Sequence, residues 1–228
     1  MNPFDLNSVD VDGAIRENEA AVAGDTRSAF FRKAAIGGGA VLTSGAIMGM
    51  LPELSMAAPS KKQDLKILNY ALTLEYLEAA FYKEAVETGG LSGSLLEFAR
   101  LVNDHEQTHV VALKKTIKSL GGKAVKSPKF DFKGTNKGTN FADTALVLEN
   151  TGVRAYLGQA TRIKQTPILA AAASIVTVEA RHAAAIAVLI DQAKLSGDKG
   201  ITPYGAFDKA SSMKKILGEV GATGFIVE

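Results

Sequence analysis

The chain has no cysteine in its 228 residues. That excludes a disulfide framework, a zinc–thiolate site and a CxxC redox motif. It also suits a protein that leaves the cytosol, since no thiol then needs protection. A strong excess of one charge is missing too: the formal net charge is +2. A nucleic-acid footprint needs clustered Lys and Arg, so no nucleic-acid partner is expected. Histidine is scarce, with three residues, and any that recur in a pattern therefore carry information. The hydrophobic set makes up 46% and charged residues 22% of the chain, the composition of a globular protein. The length allows one well-packed domain plus a leader or tail.

Charge is absent again from Ala34 to Leu51, a stretch rich in Gly and Ala. A basic patch, Thr26-Arg27-Ser28-Ala29-Phe30-Phe31-Arg32-Lys33, precedes it, and Ser55-Met56-Ala57 follows with small residues at the first and third positions. Basic patch, apolar run and small-x-small site stand in the order of a secretory signal. Residues 1–57 are therefore read as an export leader, which places the protein in the periplasm or outside the cell. The patch resembles a twin-arginine signal, with Ser28 where the second arginine would stand. About 18 uncharged residues can also just span a bilayer, so membrane contact is expected if the leader is retained as an anchor.

After Ala57 the signals are helical, and they predict an all-α fold. The first helix is expected from about Ser60 to Thr88, stopped by Gly89-Gly90. The second starts after Ser92 or Ser94 and stops at Gly121-Gly122. The third runs from near Phe141 to about Arg162, and the fourth has Thr166 as N-cap and Pro167 at its first position. Short links make the first two helices one antiparallel hairpin and the last two another. Between the hairpins lies Gly121 to Asn140, polar and long enough to run the length of a bundle. One long crossover between helices 2 and 3 is the connectivity of a ferritin-like bundle rather than an up-down-up-down one. The bundle spans residues 58–195, with 196–228 as a tail whose Phe207, Ile216, Leu217 and Phe225 pack on it. No short fifth helix closing a cage is expected past Lys194. The fourth helix is nearly all Ala, Val, Ile and Leu. Glu179, Arg181 and His182 at mid-span would be costly in lipid, so it is read as buried in the bundle and against a second subunit of a homodimer.

The inward seams of these helices should be apolar, yet each is broken by a carboxylate: Glu75, Glu106, Glu149 and Glu179. His109 and His182 each stand three residues after a glutamate, so glutamate and histidine share one helix face. A buried, unpartnered carboxylate is expensive, and four facing one another call for cations. Two divalent ions would satisfy them, with Glu75, Glu106, His109, Glu149, Glu179 and His182 as ligands. An internal repeat supports the pattern. Leu74-Glu75 is followed seven residues on by Tyr82, and Leu148-Glu149 seven on by Tyr156.

The segment Leu74-Glu75-Tyr76-Leu77-Glu78-Ala79-Ala80-Phe81-Tyr82, the Glu106–His109 pair, Glu149 and the Glu179–His182 pair together resemble the ferritin-like superfamily. More narrowly, the chain is similar to exported bacterial ferritin-like domain proteins, some called desiccation-related. The resemblance covers about residues 60 to 195 and implies those six side chains as ligands of two metal ions, iron first and manganese second. It also implies oxygen or peroxide as reaction partner. The activities in view are oxidation of Fe(II) with reduction of oxygen or peroxide, a dimanganese catalase, or a non-enzymatic, stress-protective metal-binding bundle. Without cysteine no rubredoxin domain is fused to supply electrons. Tyr82 and Tyr156 are placed either as partners of ligand carboxylates or redox relays, or as core aromatics with a satisfied hydroxyl. Glu78 is expected to make an ordinary salt bridge, with an extra carboxylate behind the ligands as the alternative. His105 falls off the seam, at the surface or behind the ligands. Arg181 either pairs with a carboxylate across the bundle or faces solvent.

Overall fold

The structure is a computed structural model that describes residues 61–191 and 195–227. The export leader expected over residues 1–57 lies outside the described residues. Among these there are five α-helices: α1 (Lys61–Thr88), α2 (Gly93–Ser119), α3 (Phe141–Ala160), α4 (Thr166–Ile190) and α5 (Met213–Thr223). The first four are the long helices the apolar periodicity predicts. The α1–α2 and α3–α4 pairs form tight hairpins, and the crossover between α2 and α3 runs back along α1. There Asn69 accepts a hydrogen bond from the Val125 amide at 2.7 Å and donates to the Lys123 carbonyl at 3.2 Å.

Two apolar clusters fill the bundle, one on either side of the level at which the seams carry glutamate. One is rich in aromatics: Phe81, Tyr82, Phe98, Phe132 and Phe141 meet where α1 ends and α2 and α3 begin. Phe81 sits edge-on to Phe132 at 5.4 Å and stacks on Phe141 at 5.7 Å, arrangements that favour dense packing. The other cluster, built from Ile67, Leu68, Leu113, Ile117, Ile168 and Ile175 with Tyr156, is mainly aliphatic.

Three expectations are corrected. The fourth helix begins at Thr166 rather than being capped by it; Gln165 precedes the helix and Pro167 lies in its first turn. The loop is instead held by Asp64 of α1, which is fully buried and accepts from the Lys164 amide at 2.8 Å and the Gln165 amide at 3.2 Å. Nor is α4 buried all round. Seven of its 25 residues are buried, while Leu169 and Val188 are 37% and 41% exposed. A member of a four-helix bundle turns one face inward, and the apolar character of the other face has no counterpart among the described residues.

The third correction concerns the tail, where a helix does form past Lys194. The Ser212 hydroxyl caps α5 by accepting from the Lys215 amide, and Gly224 ends it in the left-handed conformation. Ile216 is fully buried and Phe225 nearly so, but Phe207 and Leu217 are 70% and 44% exposed. Two short strands, β1 (Lys129–Phe130) and β2 (Ile226–Val227), pair antiparallel and tie the chain's end to the crossover. The tail meets α3 at Gly158, where a Cβ would lie 1.8 Å from the Ser211 carbonyl oxygen.

Asp64→Ala is expected to destabilise the protein by about 1–2 kcal/mol, because it removes the buried acceptor of two part-buried amides and a favourable charge from the first turn of α1. Urea unfolding checks the loss, and metal content per folded chain should not change.

Candidate metal centre

Each long helix turns one carboxylate into the bundle at the same level. Glu75 of α1, Glu106 of α2, Glu149 of α3 and Glu179 of α4 have no exposed surface. His109 and His182, each one turn after its glutamate, are 9% and 4% exposed. All six sequence-selected residues are thus brought together. They form two overlapping groups, Glu75–Glu106–His109–Glu179 and Glu106–Glu149–Glu179–His182, whose donor atoms lie within 4.8 Å of one another.

Glu106 and Glu179 belong to both groups and face them with different oxygens. Glu106 Oε2 lies 3.2 Å from His109 Nδ1, and its Oε1 lies 3.3 Å from His182 Nδ1. Glu179 Oε1 lies 3.1 Å from His109 Nδ1, and its Oε2 lies 3.7 Å from His182 Nδ1. Glu75 Oε2 completes the first group at 3.2 Å from His109 Nδ1, and Glu149 Oε2 the second at 3.2 Å from His182 Nδ1. The result is an approximately two-fold arrangement with two shared and two terminal carboxylates.

These residues fit a metal pair. A ring nitrogen carries at most one hydrogen and cannot serve three carboxylates, yet three surround His109 Nδ1. Glu106 Oε1 and both Glu179 oxygens are buried without a well-aligned hydrogen-bond partner. Donor atoms a little over 3 Å apart match the edge of a coordination polyhedron whose ligands sit about 2.1 Å from a first-row ion. Carboxylate oxygen with imidazole nitrogen is a donor set for such ions. The cluster is therefore compatible with a di-metal site.

Without a cation, protons must neutralise the layer. Burial, reinforced by the Glu106 charge, raises the Glu75 carboxyl well above its ordinary value. Burial pushes Glu149 up to about 8, against the pull of the His182 hydrogen bond. Burial alone would lower both histidines, but the carboxylates crowded against each Nδ1 overcome it. Glu106, Glu179 and Glu75 together raise His109 to about 12, and Glu106, Glu149 and Glu179 raise His182 to about 12. Glu106 is the counterpart: burial would raise it, yet hydrogen bonds from His109 and His182 bring it down to about 2.

Tyr82 and Tyr156 cross between the hairpins. Tyr82 of α1 donates to Glu149 Oε1 of α3, and Tyr156 of α3 donates to Glu75 Oε1 of α1. Of the open readings of these tyrosines, the partner of a ligand carboxylate is the one the geometry displays. Burial raises both phenols well above 10, with the facing carboxylate adding to it, so each hydroxyl keeps its proton.

Glu78 is a correction. It is 3% exposed, and no basic side chain among the described residues forms an ion pair with it. Burial first, then the charges of Glu179 and Glu149, push its carboxyl well above the ordinary range. It lies beside the cluster and against Gly152 of α3, where a Cβ would make ordinary contact at 3.4 Å from Glu78 Oε1 and 3.6 Å from Glu179 Oε2. The available signal was its spacing, three residues after Glu75 and so on the same face. His105, half-buried, sits behind the second group, its Nδ1 2.8 Å from His182 Nε2. That contact leaves His182 Nδ1 for the cluster. Arg181 faces solvent and donates to the Thr177 carbonyl of its own helix at 3.1 Å.

A four-helix bundle with one long crossover, Glu-x-x-His on two helices and a lone glutamate on each of the others, is the architecture of ferritin-like carboxylate proteins. The family model for the ferritin-like domain matches residues 63–192, more than half of the chain, and the protein belongs to that family. No curated protein matches it.

The charge pattern sets a pH dependence for the metal-free protein. Glu75, Glu78 and Glu149 hold protons that the unfolded chain releases above 4.5, so their contribution to stability falls as pH rises beyond that value. The histidine contribution is full below 6.5 and is lost as pH rises toward about 12. Glu106 acts on the acid side, its contribution present above 4.5 and lost as pH falls through about 2. The melting temperature of metal-free protein is expected to fall from about pH 6.5 to about pH 9, and to change much less once bound cations replace these protons. Calorimetry at several pH values checks both; a flat metal-free profile would contradict the buried, protonated layer.

Proposed function

We propose that the protein is a di-iron carboxylate protein that oxidises Fe(II) and reduces oxygen or peroxide, working outside the cytoplasm. The observation that carries this reading is the pair of four-residue groups sharing Glu106 and Glu179, which offers two adjacent cation positions in a dry interior. When bound, the metal pair supplies two electrons. Reduction of oxygen to hydrogen peroxide takes two electrons and two protons, and reduction of hydrogen peroxide to two waters takes the same. The export reading is supported by the leader's order of basic patch, apolar run and small-x-small site.

The chain's own groups suit that chemistry. Glu75 and Glu149 each accept from a tyrosine, which orients one carboxylate oxygen and leaves Oε2 toward the histidine of its group. Glu106 and Glu179 present both oxygens to the interior, the arrangement needed to hold two cations side by side. The apolar clusters on either side exclude water, so charge within the layer is compensated locally. Carboxyl groups that burial keeps protonated must release those protons as cations enter, which couples metal loading to pH.

Elemental analysis of protein loaded with Fe(II) under anaerobic conditions should give about two metal ions per chain, and Glu106→Ala should lose at least one of them. Addition of oxygen or peroxide to the loaded wild type should then produce Fe(III), followed by absorbance, with the oxidant consumed in proportion. Metal binding without turnover would favour a structural, stress-protective bundle instead. Absence of metal from wild type would sink the proposal outright.

A further inference from the structure

The two ends of the bundle interior are filled differently. The aromatic end is closed by Phe81, Phe132 and Phe141. The aliphatic end holds an elongated cavity lined by all four long helices, with about 40 Å³ open to the centre of a water-sized sphere. A single water needs roughly 10–15 Å³ by that measure. The space therefore admits one or two very small molecules and nothing the size of an organic substrate.

The position of the cavity follows from helical spacing. Its wall includes Leu113, one turn beyond His109, Ile175, one turn before Glu179, and Ala71, one turn before Glu75. Tyr156, whose hydroxyl donates to Glu75, is also on the wall. The cavity thus lies one helical turn from the Glu75–His109 half of the cluster and is linked to it by Tyr156. From there it extends toward Ile163 and Ile168, and it reaches the surface between Ala112 of α2 and Ala171 of α4, both exposed. The wall is overwhelmingly hydrocarbon. Of its polar groups, the Tyr156 hydroxyl is engaged by Glu75 and the Thr116 hydroxyl by the Ala112 carbonyl. The Tyr70 hydroxyl is buried without a partner, and the Gln159 carboxamide, 3% exposed, also lines the wall. The rest of the lining is hydrocarbon, so a water there finds few of the two to four polar partners it needs.

We propose that this cavity is a binding and entry site for molecular oxygen, and that oxygen is accordingly the oxidant the centre uses. The inference rests on the proposed di-metal function. Dioxygen is apolar and small, and it gains by moving from water into a dry hydrocarbon pocket. Hydrogen peroxide would have to give up most of its hydrogen bonds to water there, with only Tyr70 and Gln159 to replace them. The cavity lies on the Tyr156 side of the cluster. On the Tyr82 side, among the described residues, aromatic rings pack the corresponding region.

Xenon, which enters dry apolar cavities, tests the cavity in the metal-free protein, apart from any turnover. Crystals under xenon pressure should show it beside Leu113 and Ile175. Ala172→Phe, which fills the cavity from α4, should abolish that site. Leu68→Ala, which enlarges it, should raise xenon occupancy and guards against a misfolded plug variant. With Fe(II) loaded, the plugged variant should react with oxygen about tenfold more slowly and with peroxide at nearly the wild-type rate. Ordered water in place of xenon overturns the proposal, as does an equal slowing with both oxidants. A wild type that binds xenon but neither iron nor oxidant would refute the di-metal reading, and with it the role given to oxygen. A wild type that turns over but excludes xenon refutes the cavity's role alone.

Discussion

An anionic layer sealed inside hydrocarbon is the constraint on which the rest of this structure depends. Five glutamates, Glu75, Glu78, Glu106, Glu149 and Glu179, are essentially without exposed surface, and the nearest cationic groups are two histidines. A carboxylate transferred from water to such a site unpaired costs several kcal/mol even after relaxation. The fold answers locally, by hydrogen bonds from His109, His182, Tyr82 and Tyr156 and by raised carboxyl affinities for protons. The two apolar clusters serve to hold four helix faces in register, so that donors as far apart in sequence as Glu75 and His182 converge. Because those clusters keep water out, the layer can be neutralised only by protons or by cations that enter it.

The two hairpins are copies in outline and differ where it matters. Glu75 and Glu149, Tyr82 and Tyr156, and the two Glu-x-x-His pairs correspond. Glu78 has Gly152 as its counterpart, so α1 brings an extra carboxyl to the layer where α3 brings no side chain and packs against it. His105 has Val178 as its counterpart, so one ligand histidine is backed by a second imidazole and the other by none from that position. The ends of the bundle are unlike as well, one closed by stacked rings and one lined by branched aliphatics that leave a cavity. An approximately symmetric set of carboxylates and histidines is thus embedded in an asymmetric shell, and its two halves have chemically unlike surroundings.

Outside the bundle, the chain's last segment behaves as a brace. It packs α5 on α3, meets Gly158 at close quarters and pairs β2 with the crossover strand β1. The crossover is therefore fixed on one flank by Asn69 of α1 and along its strand by the C-terminal segment. Arg154 joins this brace to the hairpin through a bidentate pair with Glu219, its Nη2 2.8 Å from Glu219 Oε2, a geometry favoured for guanidinium and carboxylate.

By itself the sequence determined that the protein is a four-helix bundle with its long crossover in the middle, because apolar spacing, glycine stops and connection lengths are local properties. It also singled out six polar residues on seams that should be apolar, since periodicity assigns a face to each residue without any knowledge of its neighbours. Which residues lie behind those six was decided only by the tertiary structure. Glu78 shares the face of Glu75, but nothing in its spacing says whether a basic partner waits there, and His105 falls off the seam. Their surroundings are set by α3 and by an imidazole in α4. The outward apolar face of α4 and the docked tail were hidden for the same reason. Periodicity specifies a direction around a helix axis, whereas burial depends on what the remaining helices place in that direction.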